Sequence, residues 1–203
     1  MKVALLGASG MIGSRILAEL SSRGHQVTAL ARKPAAIAAL PGVSARAVDA
    51  YDGKALAAAY SGHDAVISSV HYLASNADTL IGAAKDAAVP RYLVVGGAGS
   101  LDVAPGVKLV DTPQFPAIYL DEARAGGAFL EKLKAEPTLN WTFLSPSALI
   151  SPGERTGKFR LGTDQLLVDA GGNSAISAED YAVALVDELE APKHVRMRFT
   201  VGY

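Results

Sequence analysis

The sequence predicts an α/β protein built on a doubly wound parallel sheet with helices on both faces. Two observations lead to this fold class. Apolar runs of strand length alternate along the chain with segments whose apolar residues recur at helical spacing. The runs are continuous rather than alternating, which is typical of strands buried on both faces. Strands that alternate with helices imply a parallel sheet joined by right-handed crossovers.

The first half of the chain supplies four predicted strands and their connecting helices. Val3–Gly7 is a continuous apolar run and predicts the first strand. A helix follows with apolar residues spaced from Ile12 to Leu20, and Gly24 ends it. The next elements, in order, are a strand at Gln26–Ala31, a short helix at Ala35–Leu40, a strand at Val43–Val48, a helix capped by Asp52 that runs to Tyr60, and a strand at Ala65–Val70.

The second half continues the alternation and then becomes less regular. Residues 151–162 and 165–177 are expected to form loop and a short hairpin, and residues 146–180 a small cap on the substrate side of a single domain, 1–203. The regular elements predicted here are a helix at Asp78–Ala88 ended by Pro90, a strand at Tyr92–Val95, a long loop at Gly96–Pro116, a helix at Tyr119–Ala135, a strand at Trp141–Leu144, a helix to Glu190 that begins at an S-x-x-D capping box of Ser177 and Asp180, and a strand at Arg196–Val201.

The composition excludes several function classes. Half of the residues are hydrophobic and 19% are charged, so the chain can bury a large core. The net charge of −1 shows no excess of basic residues, and nucleic acid is not an expected partner. With no cysteine in the chain, disulfides and thiolate metal sites are excluded. No apolar run reaches the roughly 20 residues of a membrane helix, and we expect a cytoplasmic protein.

A glycine-rich turn follows the first strand and opens the first helix. Gly7, Gly10 and Gly13 fit G-x-x-G-x-x-G, a relative of the dinucleotide fingerprint. In that motif the first glycine permits the turn, the second lets a pyrophosphate approach the backbone, and the third lets helix and strand pack closely. The helix start offers free N–H groups to phosphates, and Ser9 can add a hydroxyl. The alternative is a tight turn that uses glycine for packing only.

Two basic residues, Arg32 and Lys33, follow the second strand, where the ribose partner of a dinucleotide is expected. An acid there would bind the ribose hydroxyls of NAD, whereas a guanidinium suits the 2′-phosphate of NADP. We therefore favour NADP (NADPH), with NAD possible; a solvated basic turn is the alternative. Asp49, after the third strand, is a candidate partner of the adenine amino group or a simple helix cap.

Three segments, "GASGMIG", "GHDAVIS" and "WTFLSPSALI", together with the C-terminal run "SPGERTGKFRLG…LLVDAGGNSAISAEDYA", resemble the atypical short-chain dehydrogenases/reductases. The branch with biliverdin/flavin reductases and NAD(P)H-flavin reductases is most similar, and the NmrA-like proteins are more distant. The resemblance covers essentially the whole chain and implies a Rossmann-type fold. It also implies a cofactor site: Gly7, Ser9, Gly10, Met11 and Ile12 along the pyrophosphate, Arg32 at the adenosine ribose, Ser68, Ser69 and Val70 beside the cofactor, and Pro146, Ser147 and Ala148 at the edge of the nicotinamide.

One departure from the family pattern concerns the chemistry. Typical short-chain dehydrogenases use Tyr-x-x-x-Lys, and no tyrosine of this chain has a lysine four positions later. Alcohol oxidation through a tyrosinate and epimerase or dehydratase chemistry are therefore not expected. Reduction of a conjugated acceptor such as a flavin or quinone needs less, because the acceptor delocalises the charge it receives and the fold need only stack acceptor on cofactor.

Four residues are candidates for catalysis, each with a plainer structural reading. His71 follows the fourth strand and could donate a proton, or be a surface histidine. Ser100, at the end of the "GGAGS" loop, could match the family's active-site serine or be a turn residue. Tyr119, at the start of a helix, could face the pocket or serve ordinary packing. Arg155 could hold an anionic substrate group or form a salt bridge. Tyr72 could stack on a planar acceptor or pack at the rim. No two histidines and a carboxylate share metal-ligand spacing, so no metal is expected.

The sequence thus predicts an NAD(P)H-dependent reductase that transfers hydride to a flavin-like, quinone-like or other conjugated small molecule, as a monomer or homodimer. The alternative is a non-catalytic NADP-binding redox sensor of the NmrA type. The absence of Tyr-x-x-x-Lys is compatible with both.

Overall fold

A computed structural model describes all residues, 1–203, and contains a central sheet of eight strands. Two further pairs of short strands, β6–β7 and β9–β11, lie outside this sheet. All twelve strands, in chain order, are β1 (Lys2–Leu6), β2 (Gln26–Ala31), β3 (Val43–Ala47), β4 (Ala65–Ser68), β5 (Tyr92–Val95), β6 (Asp102–Ala104), β7 (Val107–Lys108), β8 (Trp141–Ser145), β9 (Leu149–Ser151), β10 (Arg160–Gly162), β11 (Ala175–Ser177) and β12 (Met197–Gly202). The helices are α1 (Met11–Ser22), α2 (Gly53–Tyr60), α3 (Ala77–Asp86), α4 (Leu120–Lys134) and α5 (Ala178–Glu190).

The strand order in the central sheet is β10-β12-β8-β5-β4-β1-β2-β3, and only β10 runs antiparallel to its neighbour. β1 pairs with β2 on one side and with β4 on the other, so the direction of chain winding reverses between β1 and β4. In open α/β sheets ligands bind beyond the carboxyl ends of the strands at such a reversal. The topology therefore places the expected site directly over the glycine turn.

Helices cover both faces of the sheet, as predicted. One hydrophobic cluster packs α1 and α5 against the sheet through residues such as Leu17 and Leu185. A second cluster of equal size packs α2, α3 and α4 on the other face through residues such as Leu56 and Phe129. Each strand of the centre contributes alternate side chains to the two clusters, which explains the continuous apolar runs in the sequence. No helix combines the length and the apolar character needed to cross a membrane.

Side-chain caps begin α2 and α5 at the two positions that the sequence predicts, Asp52 and Ser177. The Asp52 carboxylate accepts from the Ala55 amide at 3.0 Å, as predicted for α2. Ser177 likewise accepts from the Asp180 amide at 3.0 Å, but Asp180 does not return the bond of a capping box. Its buried carboxylate instead accepts from the Thr156 hydroxyl and from the Tyr203 hydroxyl at 2.9 Å. Asp180 therefore links α5 to the loop that contains Thr156 and to the C-terminal residue Tyr203.

Three predicted elements need correction. The helix predicted at Ala35–Leu40 is only a 3₁₀ turn at Pro34–Ala36, since Pro34 fixes the turn and the following residues leave it. The loop predicted at Gly96–Pro116 contains the small hairpin β6–β7. The C-terminal segment expected to hold a hairpin forms the parallel pair β9–β11 and adds β10 to the main sheet.

Candidate functional site

A groove of about 400 Å³ lies beyond the carboxyl ends of β1, β2, β4 and β5. The glycine turn forms its centre, the residues after β2 and β3 form one end, and the residues after β4 and β5 form the other. Its lining residues are Leu6, Gly7, Ser9, Gly10, Met11, Ile12, Ala31, Arg32, Val48, Asp49, Ala50, Tyr51, Ser69, Val70, His71, Tyr72, Ala74, Val95, Gly96, Gly97 and Glu122.

The three glycines of the turn are needed for different reasons. Gly7 has a φ of +83°, and a Cβ there would overlap the Ser69 carbonyl. A Cβ at Gly13 would overlap the Gly7 carbonyl, so Gly13 lets α1 start against the strand. A Cβ at Gly10 would meet only the Gly7 oxygen, at 3.3 Å, and φ at Gly10 is an ordinary −75°. The protein's own packing thus requires Gly7 and Gly13, whereas the bare surface at Gly10 faces the groove.

The start of α1 provides hydrogen-bond donors with no partner in the protein. Gly10 occupies the N-cap position, and no side chain caps the helix. The first acceptor inside the helix is the Gly10 carbonyl, which receives the Ser14 amide at 2.9 Å, so the amides of Met11, Ile12 and Gly13 remain free. Free amides at the positive end of a helix dipole bind phosphate. The residues present therefore fit the diphosphate of a dinucleotide.

Arg32 and Lys33 lie at one end of this groove, after β2. Both side chains are exposed and neither forms an ion pair, but only Arg32 lines the groove, and Lys33 follows it outside the lining. Asp49 also lines this end, where its carboxylate accepts from the Tyr51 amide at 3.0 Å. That bond is a local turn, and it leaves carboxylate lone pairs for a second donor. The end of the groove beyond β2 therefore has the unpaired guanidinium of Arg32 and the Asp49 carboxylate, which can accept a further hydrogen bond.

The residues after β4 form the wall at the other end. Ser69 and Val70 line the groove, and the Ser69 amide is fixed by the Leu6 carbonyl at 2.9 Å. Ser68, the last residue of β4, is buried and does not line the groove. His71 lines the groove with a side chain that is 87% exposed, and its Nδ1 lies 3.3 Å from Glu122 Oε1.

Tyr72 and Glu122 also line this end of the groove, and Tyr72 packs at its rim, one of the two roles expected for it. The Tyr72 hydroxyl donates to the Val95 carbonyl at 2.8 Å, and its ring packs at a tilt on Phe129 with centroids 5.5 Å apart. Burial raises the pKa of the Tyr72 phenol well above its ordinary value of 10.0. Tyr72 is therefore a fixed residue of the groove wall, and its hydroxyl proton is held in the hydrogen bond to Val95. Glu122, from α4, is a groove residue that no sequence motif indicates.

Arg155 does not reach the groove, which corrects the substrate role expected for it. Its guanidinium donates from Nε and Nη2 to the Glu19 carboxylate at 2.7 and 2.8 Å. Glu19 lies on α1 and is only 5% exposed, and it also pairs with Arg23 at 2.7 Å. The hydrogen bonds from Arg155 hold the pKa of Glu19 below its ordinary value of 4.5. Arg155 is therefore an ion-pair residue that joins the C-terminal loop to α1.

Ser100 and Tyr119 are also outside the groove. The Ser100 hydroxyl accepts from Arg198 Nη1 at 3.0 Å, and the buried Arg198 guanidinium also pairs with the exposed Asp164, so Ser100 belongs to a structural hydrogen-bond network. Tyr119 precedes α4 with 61% of its surface exposed and does not line the groove. Their expected catalytic roles are replaced by these structural and surface positions.

The residues after β8 follow the same edge of the sheet, one strand beyond β5. Ser147 is buried and its hydroxyl donates to the Val201 carbonyl at 3.0 Å, while Ala148 is exposed. Neither they nor Pro146 line the groove, which on this side ends at Gly96 and Gly97. Their contact with the nicotinamide stays a prediction, and in it the cofactor would extend past the groove toward β8.

A wider depression between α2 and α3 is a poor alternative for the nucleotide. It measures about 650 Å³ and has four aspartates among its ten lining residues, with Lys54 as its one cation. A field of carboxylates repels the phosphates of a dinucleotide. The narrower groove, with its free amides and Arg32, is the site that fits.

Replacing Gly10 by Val should remove nucleotide binding and leave the fold intact. The added side chain enters the groove, so NADPH affinity should fall by about 100-fold or more, while the free energy of unfolding falls by only about 1 kcal/mol, the cost of valine at a helix N-cap. Calorimetric titration and chemical denaturation measure the two effects. Gly13→Ala is the contrast, because its clash is internal and should cost about 2–3 kcal/mol of stability. Retained affinity in Gly10→Val would place the phosphates elsewhere.

Replacing Arg155 by Met should lower stability without changing nucleotide affinity. Because Arg155 is 55% exposed, we expect a loss of only about 1–2 kcal/mol near neutral pH. The lowered pKa of Glu19 means that its ionised form stabilises the fold above about pH 4.5 and that this contribution is lost as the pH falls. The difference between variant and wild type should therefore shrink below that pH in denaturation curves. A change in nucleotide affinity would contradict this prediction and indicate that Arg155 contributes to the nucleotide site.

Comparison with known proteins gives relatives that match along their whole length. A curated relative, the "Uncharacterized protein YwnB" of Bacillus subtilis (strain 168), is 42% identical over 99% of this chain and 98% of its own. A "putative exported protein" from Burkholderia pseudomallei has a solved structure with a TM-score of 0.91 and 48% identity, with both chains fully covered.

Two further solved structures have names that state an activity, and the two activities differ. A "putative epimerase" from Bacteroides thetaiotaomicron has a TM-score of 0.94 at 43% identity, covering 100% of this chain and 96% of its own. A "putative NADH-flavin reductase" from Streptococcus pneumoniae TIGR4 has a TM-score of 0.85 at 32% identity, covering 100% and 99%. The family model described as NAD(P)H-binding matches residues 7–192, and the chain belongs to this NAD(P)H-binding family.

Proposed function

We propose that this protein is an NAD(P)H-dependent reductase that passes hydride to a flavin-like, quinone-like or other conjugated acceptor. The observation that carries the proposal is the groove itself. Gly10 and the free amides of α1 can bind the diphosphate, and the end of the groove after β4 and β5 is lined by no tyrosine–lysine pair. A nicotinamide bound there would supply the hydride, and a conjugated acceptor needs only stacking and one proton. The likeness to an NADH-flavin reductase supports this acceptor class.

The free cations after β2 favour NADPH over NADH. Arg32 and Lys33 have no carboxylate partner and are exposed, so a 2′-phosphate could take charge-assisted hydrogen bonds from them without breaking an ion pair. Asp49 has lone pairs left for the adenine amino group. The adenosine half would thus be recognised by Arg32, Lys33 and Asp49, and the diphosphate by the glycine turn.

His71 is the proposed proton donor, because it is the titratable side chain of the β4 wall that is both in the groove and exposed. Ser69 and Val70 would pack beside the nicotinamide half. We also propose that residues 1–203 act as one cytoplasmic domain in which residues 146–180 cover the sheet edge next to the acceptor.

A non-catalytic NADP-binding sensor is the second candidate. Tyr72, the one groove tyrosine at this end, donates its hydroxyl to Val95 and is not free for chemistry. A groove so poor in free acids and bases can hold a nucleotide without turning it over. In that case the redox state of the bound nucleotide would be communicated to a protein partner.

Turnover distinguishes the two functions. NADPH oxidation should be measured with riboflavin, a flavin mononucleotide and several quinones, after nucleotide binding has been confirmed by calorimetry. Steady consumption that saturates with one acceptor supports the reductase. Tight NADPH binding with no turnover across the panel supports the sensor, and no binding of either nucleotide contradicts both.

Replacing Arg32 and Lys33 together by Ala should weaken NADPH by about 10–100-fold, the loss expected for two charge-assisted bonds to a phosphate. NADH, which lacks the 2′-phosphate, should change by no more than about twofold. Titrations of both nucleotides against wild type and variant measure this. Lys54→Ala serves as a control for total charge, since Lys54 lies in the acidic depression instead. An equal loss for both nucleotides would refute the 2′-phosphate assignment.

A further inference from the structure

We propose that Glu122 is a positioning residue that holds His71 and the backbone of the β4 wall against the nicotinamide half of the site. The inference rests on the proposed function and adds a residue to it. It concerns the segment from His71 to Ala74, which leaves β4 and forms a 3₁₀ turn at Tyr72–Ala74.

One carboxylate makes every polar contact between this segment and α4. Glu122 Oε1 accepts from the Tyr72 amide at 2.7 Å, and Oε2 accepts from the Leu73 amide at 3.0 Å. Oε1 also lies 3.3 Å from Nδ1 of His71. Three successive residues are therefore bound to one side chain, and that side chain itself lines the groove.

The contacts exceed what a helix-terminal acid needs. Glu122 lies in the first turn of α4, where any carboxylate gains from the helix dipole, but its neighbour Asp121 has the same advantage and stays exposed without a bond. The pair with His71 alone would contribute little, because that imidazole is 87% exposed. The two backbone bonds distinguish Glu122, since an anion that accepts two amides fixes the direction of the chain.

The wall lies beside the nicotinamide half rather than the adenosine half. The glycine turn follows β1, Arg32 follows β2 on one side, and His71 follows β4 on the other. Adjacent strands are about 4.8 Å apart, so the wall is one strand from the diphosphate in the direction away from Arg32. A shift of the wall should therefore change contacts to the nicotinamide and acceptor and leave the adenosine contacts unchanged.

Glu122→Gln is the informative substitution, because it keeps the shape but replaces one accepting oxygen by an NH₂ group. That group cannot accept from a backbone amide, so either Tyr72 or Leu73 loses its partner and the wall moves. We expect kcat to fall by about tenfold, the size of a small misplacement of a reacting group. NADPH affinity should fall by about fivefold, while 2′-phospho-ADP-ribose, which lacks nicotinamide, should bind within about twofold of wild type. Asp121→Asn removes a neighbouring charge and should match wild type in all three.

A double-mutant cycle with His71→Ala separates positioning from simple loss of stability. Because Glu122 affects kcat by placing the proposed proton donor, the double variant Glu122→Gln/His71→Ala should have about the kcat of His71→Ala alone. Effects that multiply, or a Glu122→Gln protein that equals wild type in NADPH affinity, would overturn the inference. An equal loss of 2′-phospho-ADP-ribose binding would overturn it as well, because the change would then be global. A wild-type protein that binds neither nucleotide would instead refute the proposed function.

Discussion

The structure depends on the close approach of three backbone segments at Gly7. The strand end, the Ser69 carbonyl that follows β4, and the first turn of α1 at Gly13 meet at a point with no room for a Cβ. This close approach lets α1 start directly over the carboxyl edge of the parallel sheet at its winding reversal. The direction of the free α1 amides follows from this contact. The packing of the fold does not require a glycine at position 10, and the space beside Gly10 opens into the groove, where a bound phosphate would fit.

The groove is electrostatically polarised along its length. One end has Arg32 without an ion-pair partner, with Lys33 next to it in the chain; the middle has the positive end of α1, and the far end has the carboxylate of Glu122 bound to backbone amides. A phosphate-bearing molecule is therefore favoured at the first two positions and disfavoured at the third. An elongated ligand with its charge at one end and a neutral ring at the other matches this order, and a ligand of the opposite polarity does not.

The parts of the fold that local physics dictates were predictable, and the parts that depend on distant partners were not. The buried strands β2 and β5 have the predicted bounds, because a two-sided environment demands a continuous apolar run. The pairs β6–β7 and β9–β11 are only two or three residues long, and β6, β7 and β9 are mostly exposed, so their pairing is set by tertiary neighbours. The same division applies to the site. Spacing around Gly7 indicated the turn, but the partners of Arg155 and Glu122 are 136 and 50 residues away along the chain.

The two edges of the central sheet differ in how they meet water. On one side β10 closes the ladder, and Arg160 donates across it to the carbonyls of Val168 and Tyr203. On the other side β3 is exposed along most of its five residues, and no further strand pairs with it. Such a margin is a template for unwanted chain pairing, and short length and a charge such as Arg46 are the usual protection. Loss of the Arg46 charge would therefore leave β3 as the strand at which aggregation of this molecule begins.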